Sequence, residues 1–283
     1  MITIDAHQHF WSPARGDYGW MESSDDLAPL RQDYLPQHLA PLLTRLAIDR
    51  TVLVQAAPTV AETAFLLDLA SDHELIAAVV GWVDFEDKSH LRHLERFRRH
   101  PKFVGVRPMI QDIPDVNWML SGTLNWAFAA IVALDLTFDA LGFPVHMDNF
   151  CRLFNRYPAM RVVIDHGMKP AIQRPEARGD WCRGIGRLAA ETAACCKLSG
   201  FATEAGPVWS ADLLRPYVDH LIACFGPDRL MWGSDWPVLE LVSSYERWYA
   251  TARHLVAPTG ASDRIFGGTA QAFYRLDALL SRP

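Results

Sequence analysis

The sequence has few cysteines and lacks a long apolar run, and both features limit what the protein can be. Its 283 residues include five cysteines, and no two of them form a Cys-x-x-Cys pair. Scattered cysteines in odd number argue against a disulfide framework and a cysteine zinc site, and they indicate a reduced, cytoplasmic compartment. No apolar stretch reaches the roughly 18 residues that a membrane-spanning helix needs. We therefore expect no membrane insertion.

A basic patch is missing as well. The chain carries 27 lysines and arginines against 33 aspartates and glutamates, and its net charge of −6 is spread along the sequence. Proteins that bind nucleic acid usually carry a basic stripe or patch, so we expect no nucleic-acid partner. The opening residues MITID lack the basic and apolar regions of a secretory signal. The sequence does not indicate an oligomeric state.

What the chain does contain is an alternation of short β-branched or apolar runs with longer amphipathic ones. Eight runs are typical of strands, namely residues 2–10, 51–56, 76–84, 103–110, 136–140, 161–166, 195–200 and 230–235. Helical patterns cover residues 37–47, 60–71, 91–100, 117–134, 145–156, 181–194, 210–225 and 245–256, with a terminal helix after Asp263. Thr59 and Glu62 have the spacing of a capping box at the second helix.

Strands that alternate with helices predict a parallel sheet, either open and doubly wound or closed into a barrel. Eight repeats in a chain of this length favour the closed form, a single-domain (β/α)8 TIM barrel over residues 1–283. The longest irregular segment, residues 11–34, follows the first strand directly. A loop of that length is usually functional, and we expect it to overhang the catalytic face.

Two histidines stand at alternate positions near the end of the first predicted strand. Side chains two residues apart on a strand point to the same face, so His7 and His9 point together. The carboxyl ends of barrel strands are where active sites lie. A single histidine there is more often a hydrogen-bonded core residue, but a pair favours a catalytic or metal-binding role.

Two other predicted strand ends carry groups of the same kind. The sixth strand ends in Asp165-His166-Gly167, and the eighth ends in Ser234-Asp235-Trp236-Pro237. Each motif alone is also compatible with an ordinary structural turn. In a closed barrel strand eight neighbours strand one, which would bring Asp235 beside the histidine pair. A carboxylate there can act as a metal ligand, as a general base, or as both.

Taken together, the three motifs resemble the signature of the amidohydrolase superfamily, of the amidohydrolase 2 type. The similarity runs from His7 to the GGTA stretch at residues 267–270, and the opening DAHQHFW is most similar to the branch of sugar lactonases. The resemblance implies hydrolysis of an aldonolactone to the open-chain sugar acid in sugar acid catabolism. L-Fuconolactone or a related L-sugar lactone is the first choice of substrate.

Two features of the superfamily's two-metal members are missing here. Those members carry a bridging lysine at strand four, where this chain has Arg107, and arginine stays protonated. They also carry a histidine at strand five, where this chain reads LTFDA. The resemblance therefore implies at most one divalent ion, zinc as first choice, on the set His7, His9, His166 and Asp235. Lactonases of this branch do not always require that ion.

The resemblance also suggests roles in the reaction. We assign Asp235 as the general base that activates water and then returns the proton to the leaving ring oxygen. His7 and His9, a metal that they hold, or Arg107 would polarise the carbonyl, and His166 would stabilise the oxyanion or orient the water. Further polar and aromatic residues at strand ends and on loops are expected to bind substrate, namely Arg107, Trp82, Gln55, Asp84, Asp139, Ser199, Trp11, Tyr34 and Trp236.

Two alternative functions stay open on the sequence alone. One is a metal-dependent decarboxylase of an aromatic or unsaturated acid, which in the same superfamily uses a similar histidine and aspartate set. The other is a non-catalytic barrel that binds a sugar acid. The second alternative does not explain why three strand ends present groups that transfer protons.

Overall fold

A parallel barrel of eight strands forms the centre of the molecule. The computed structural model describes residues 2–277, and its strands follow one another around the sheet in chain order. They are β1 (Ile4–Gln8), β2 (Arg50–Val54), β3 (Ile76–Gly81), β4 (Phe103–Val106), β5 (Thr137–Ala140), β6 (Arg161–Ile164), β7 (Cys195–Leu198) and β8 (Leu230–Trp232). Nearly every strand residue is buried, as expected for a parallel sheet covered on both faces. The eight predicted strands are confirmed.

The sheet closes between its last and first strands. The backbone N–H of Asp235 donates to the carbonyl of His7 at 2.8 Å, and that of His9 donates to the carbonyl of Trp236 at 2.8 Å. Gln8 and Trp236 form an isolated parallel bridge at the same place. The predicted single-domain (β/α)8 TIM barrel is thereby confirmed, and the seam between β8 and β1 lies within the histidine and aspartate motifs.

Helices surround the barrel between the strands. They are α1 (Pro36–Leu46), α2 (Val60–Asp72), α3 (Leu91–Phe97), α4 (Asn125–Ala133), α5 (Met147–Arg156), α6 (Arg178–Glu191), α7 (Phe201–Ala205), α8 (Ala211–Phe225), α9 (Tyr245–Val256) and α10 (Thr269–Tyr274). Their buried residues, such as Leu66 of α2 and Leu221 of α8, contact the strands and each other. None of the helices in residues 2–277 is both long enough and apolar enough to span a membrane.

The predicted helix at residues 117–134 is shorter than expected. It begins at Asn125, after two 3-10 turns at Trp118–Leu120 and Gly122–Leu124. The Ser121 hydroxyl accepts a hydrogen bond from the Thr123 N–H, an alternative to helical bonding that serine offers readily. The apolar pattern therefore continues across a break that the small and polar residues introduce.

The capping box predicted for α2 forms only in part. Thr59 Oγ1 accepts from the Glu62 N–H at 2.9 Å, as predicted. The Glu62 carboxylate does not reach back to Thr59 but accepts from the N–H groups of Ala56 and Ala57, both at 2.9 Å. Glu62 is fully buried, and burial raises the pKa of its carboxyl to about 8. Its role is to support the loop after β2, which borders the site.

The long segment after β1 lies over the carboxyl ends of the strands. Trp11 and Tyr34 pair at its two ends, with backbone N–H to carbonyl distances of 2.8 and 3.0 Å. Between them the chain forms three 3-10 helices, and the indole of Trp20 donates to the Ala56 carbonyl at 2.8 Å. This bond ties the segment to the loop after β2, so it forms part of the wall of the catalytic face.

Candidate active site

A cavity of about 250 Å³ opens at the carboxyl end of the barrel. Its innermost residues come from strand ends and its walls come from the loops that follow them. The lining residues are His9, Trp11, Trp20, Ser23, Ala56, Arg107, Met109, Gln111, Asp112, Leu141, His166, Lys169, Asp235 and Val238. Such a concave site with a few convergent polar groups is the usual form of a small-molecule pocket.

Three imidazoles converge on one oxygen of Asp235. The Oδ1 atom lies 3.3 Å from Nε2 of His9, 3.7 Å from Nε2 of His7 and 3.8 Å from Nε2 of His166. All four residues are buried. The motifs that end β1, β6 and β8 thus lie together, as predicted, and their four side chains form one cluster.

The hydrogen bonds of His9 determine which of its ring nitrogens faces the aspartate. Nδ1 of His9 lies 2.7 Å from the Val54 carbonyl, and a carbonyl can only accept, so Nδ1 carries the proton. Nε2 of the neutral ring then presents a lone pair to Asp235 Oδ1 at 3.3 Å. Two acceptors at that distance require a cation or a proton between them. Burial lowers the pKa of His9, which disfavours the proton.

The cluster therefore fits one divalent ion. Ligands at the 2.0–2.2 Å typical of zinc lie about 3.4 Å apart in a tetrahedral site, close to the separations found here. One ligand atom each from His7, His166 and Asp235 lie within 4.8 Å of one another. Within residues 2–277 no second group of this kind is present.

The opposite side of the His7 ring contacts a buried charge network. Nδ1 of His7 lies 3.1 Å from the Lys197 ammonium and 3.3 Å from an oxygen of Asp165. Lys197 also pairs with Asp165 at 3.0 Å and with Asp139 at 2.5 Å. Arg107 extends the network, since one of its guanidinium nitrogens lies 3.4 Å from Asp165 and 3.3 Å from Nε2 of His7. Charges and hydrogen bonds on both sides hold the ring in place.

The electrostatics of the cluster keep Asp235 ionised and His166 neutral. Burial alone raises the pKa of Asp235, but the three surrounding imidazoles of His166, His9 and His7 outweigh it and bring the pKa below its usual range. Burial lowers the pKa of His166 to about 4, despite the opposing charges of Asp235 and Asp165. Near neutral pH the site therefore presents a carboxylate and a neutral imidazole.

Close backbone packing positions the His166 ring. Nδ1 of His166 lies 2.9 Å from the Ser199 hydroxyl. A Cβ added at Gly200, whose φ is +71°, would lie 2.7 Å from that nitrogen. His166 and Asp235 themselves have φ of 51° and 60°, in the left-handed region that non-glycine residues seldom occupy. Both strands consequently end before these residues, and this is why the predicted strands β6 and β8 were too long.

A protein-family model described as an amidohydrolase matches residues 4–276, which is almost the whole chain. The chain belongs to the amidohydrolase family. The resemblance inferred from the three strand-end motifs is confirmed by this match, and the motifs lie together in space as the family assignment implies.

Similar amidohydrolases include curated proteins and solved structures. The L-fucono-1,5-lactonase of Burkholderia ambifaria is 44% identical over 98% of this chain and 96% of its own length. The L-fucono-1,5-lactonase of Burkholderia multivorans is 36% identical over 97% of this chain and 96% of its own. A crystal structure of a Burkholderia multivorans amidohydrolase with bound zinc is 34% identical, with a TM-score of 0.92 over 97% of this chain and 99% of that one.

The amidohydrolase site includes some of the residues predicted to bind substrate. Arg107 and Trp11 line the cavity. Gln55 lies behind Arg107, where its side-chain amide N–H donates to the Arg107 backbone carbonyl at 2.5 Å and its backbone carbonyl accepts from the Arg107 guanidinium. Ser199 is fully buried and contacts His166. These residues surround the four central side chains but only Arg107 and Trp11 face the cavity.

Other predicted residues lie away from this cavity. Trp82 and Asp84 line a second cavity of about 470 Å³, which shares only Met109 and Asp112 with the first. Asp139 is buried in the barrel interior, where its carboxylate pairs with the Lys197 ammonium. Two aromatic residues pack edge to face at 5.2 Å behind the cavity wall, namely Tyr34 and Trp236.

Sequence reasoning missed several residues of the site, among them Lys197, Lys169 and Gln111. Lys197 is a charged residue inside the buried run CCKL, and that contrast was the available signal. Lys169 and Gln111 line the cavity from the loops after β6 and β4. They lie beyond the strand ends, where no alternation pattern indicates which way a side chain points.

Proposed function

We propose that the chain hydrolyses a sugar lactone, L-fucono-1,5-lactone or a related L-sugar lactone, to the open-chain acid. The observation that carries this proposal is the match to two proteins of that name, at 44% and 36% identity over nearly the full length of both partners. The cavity, with its carboxylate, imidazoles and guanidinium, supports the same chemistry. Aromatic-acid decarboxylases are similar at only 15–18% identity, a likeness that concerns the fold alone.

Asp235 is the base in this proposal. It reaches the cavity, and its lowered pKa leaves it ionised near neutral pH. A positioned base contributes about 10²–10⁴-fold to such a reaction. The proton taken from water then goes to the ring oxygen, because the leaving group of an aldonolactone is an ordinary alkoxide that needs one.

Arg107 acts on the carbonyl oxygen, and His166 acts on the attacking water. The guanidinium of Arg107 lines the cavity and is held from behind by Gln55 and Asp165, so its donors are oriented before substrate arrives. Preoriented donors of this kind stabilise the oxyanion that develops in ester hydrolysis. His166, neutral and held by Ser199, orients the attacking water beside Asp235.

A divalent ion, zinc as first choice, would be held by His7, His9, His166 and Asp235 and would supply Lewis-acid polarisation of the carbonyl. The lone pair of His9 that faces Asp235 is the feature of this chain that fits such an ion. The similar Burkholderia multivorans structure holds bound zinc, which supports zinc as the first choice of ion.

The remaining predicted residues take indirect roles in the proposal. Gln55 and Asp139 orient Arg107 and Lys197, and Tyr34 and Trp236 support the wall that Trp11 forms. Trp82 and Asp84 bind the part of a substrate that extends towards the second cavity.

The test is to incubate the purified protein with a panel of aldonolactones and to monitor the release of acid with a pH indicator. Each assay is run after treatment with a strong chelator and again with added zinc. Asp235→Asn removes the base, and Asp219→Asn, an exposed residue of α8, is the matched control for loss of one aspartate. We expect hydrolysis of L-fucono-1,5-lactone by the protein and the control, and a loss of at least about 10²-fold in the base variant.

The outcomes separate the parts of the proposal. Activity that survives chelation but not Asp235→Asn supports the aspartate base without an essential metal. Activity lost on chelation and restored by zinc keeps the lactonase and makes the ion essential. If no lactone is hydrolysed under any condition, the proposed function is wrong, and aromatic acids with added metal are the next substrates to try.

A further inference from the structure

The central polar groups of the cavity are already engaged with one another. His9 is held by the Val54 carbonyl and Asp235, and Arg107 is held by Gln55, Asp165 and His7. A sugar lactone brings several ring hydroxyls into this cavity besides its ester group. Those hydroxyls need partners, because a buried polar group without a hydrogen bond costs free energy. The partners must therefore come from the walls.

Most of the wall is apolar. It consists of indole rings and aliphatic side chains, together with four polar residues, Ser23, Gln111, Asp112 and Lys169. Ser23 and Asp112 are exposed at the rim, where water competes for their hydrogen bonds. Gln111 and Lys169 are half-buried. They are the two wall residues best placed to bind a hydroxyl away from water.

Lys169 and Gln111 are joined across the cavity. The Lys169 ammonium donates to Oε1 of Gln111 at 2.6 Å, linking the loop after β6 to the loop after β4. The same ammonium lies 5.5 Å from the centre of the Phe143 ring, within the range of a cation–π contact. The backbone N–H of Lys169 donates to the His166 carbonyl at 2.8 Å, which fixes the Lys169 backbone relative to His166.

This pairing determines what the two residues offer a ligand. An ammonium can only donate, so Oε1 of Gln111 is the atom that faces it, and the amide N–H groups point elsewhere. One ammonium proton is used in the pair and the others remain for a ligand, together with the amide donors. No partner within residues 2–277 is present for those amide donors. The pair thus presents several oriented donors and suits oxygen acceptors.

We propose that the Lys169–Gln111 pair determines substrate specificity by donating hydrogen bonds to ring hydroxyl oxygens of the lactone. This inference rests on the proposed lactonase function. It concerns the binding of the ring hydroxyls, which take no part in the cleavage of the ester. A site built to bind a hydroxyl rejects an analogue that cannot supply it, because its own donors are left without partners. The pair therefore discriminates among sugar lactones of different configuration.

The test compares L-fucono-1,5-lactone with lactones that are epimeric at a single ring carbon. Lys169→Met keeps the length of the side chain without its donors, and Lys169→Arg restores donors. Gln111→Glu keeps an acceptor for Lys169 but removes the amide donors. A charged hydrogen bond is worth about 10- to 100-fold in binding. We expect Lys169→Met to lower kcat/KM for the preferred lactone by this factor, through KM, while kcat stays within about threefold.

Selectivity is the decisive measurement. In Lys169→Met the preference for L-fucono-1,5-lactone over at least one epimer should fall by the same factor, and Lys169→Arg should recover part of it. Gln111→Glu should also reduce the preference. An unchanged preference in both the methionine and the glutamate variants would overturn the inference, whether or not kcat falls. The wild-type protein reports separately on the proposed function, since absence of any lactone hydrolysis refutes that function without using the variants.

Discussion

Replacing Gly200 by alanine tests whether the position of the His166 ring governs the reaction. The new Cβ would lie 2.7 Å from Nδ1 of the ring and 2.9 Å from Cγ, distances that real Cβ atoms do not tolerate. The Ser199 hydroxyl contacts the same nitrogen of the ring at 2.9 Å. Relief of the clash must therefore move the imidazole towards Asp235 or break its bond to Ser199.

The cost has two parts that the chain allows us to separate. A non-glycine residue at φ of +71° costs about 1–2 kcal/mol, and overpacking of a buried site costs about 1–3 kcal/mol more. At an unfolding entropy of about 2.1 cal/mol/K per residue, the 283-residue chain has about 0.6 kcal/mol/K. A total of about 2–5 kcal/mol then lowers Tm by about 3–8 °C.

Gly260→Ala is the matched control. Gly260 has φ of +67° and ψ of 3°, close to the +71° and −7° of Gly200, and a Cβ there would meet no heavy atom within 4 Å, so it carries the same backbone cost without the clash. We expect its Tm to fall by about 2–3 °C and its activity to stay at the wild-type level.

Gly200→Ala should in addition lose about 10²-fold in kcat on L-fucono-1,5-lactone, since a shift of about 1 Å in a catalytic group has that effect. Thermal unfolding and initial rates measure both quantities. A Gly200→Ala protein with control-like Tm and full activity would refute the argument that His166 must hold this position.

Three further predictions follow from buried charges. Burial raises the pKa of Glu62 to about 8 from its usual 4.5, so the folded protein keeps a proton that the unfolded chain loses, and the free energy of unfolding should decrease as the pH rises from about 5 to 8. In Glu62→Gln the free energy of unfolding measured with urea should depend less on pH. A pH dependence equal to that of the wild-type protein would contradict this. Lys197→Met leaves buried carboxylates unpaired and should lower the free energy of unfolding, measured with urea, by about 3–5 kcal/mol. Adding Asp139→Asn to this variant should recover part of the loss. If the losses of the two substitutions simply add, the pairing of Lys197 with Asp139 is not supported. Burial lowers the pKa of His166 to about 4, so kcat/KM should stay constant from neutral pH down to about pH 5 and decline only below it. A decline of kcat/KM that begins near pH 6.5 would show that another group controls the rate.

The strands and the central cluster could be predicted because both follow from local patterns. Buried parallel strands are continuous apolar runs, and all eight are visible in the sequence. His7 and His9 share a face by strand alternation, and barrel closure brings Asp235 to them. Seven of the eight predicted strands extended past their observed carboxyl ends, all except β5. Beyond the ends of β6 and β8, His166 and Asp235 adopt a left-handed backbone that residue type does not reveal.

The surroundings of the cluster could not be predicted in the same way. Lys197 contacts His7 only because the register of β7 against its neighbours turns the lysine inwards. The Lys169–Gln111 pair joins two loops whose paths depend on the packing of the whole carboxyl end. Trp82 and Asp84 line a separate cavity, and the shape of that cavity likewise depends on the loop after β4. Loop paths are set by tertiary packing, so a strand-end rule alone could not place these residues.

The seam between β8 and β1 means that the candidate site forms only when the barrel closes. His9 and Asp235 are 226 positions apart in the chain and meet only where the two strands join. A ribosome must therefore complete the eighth strand before any nascent chain can hydrolyse substrate, and a chain released earlier is inactive whatever its helix content. During refolding, recovery of activity reports closure of the barrel itself, which spectroscopic measures of secondary structure do not distinguish from an open sheet.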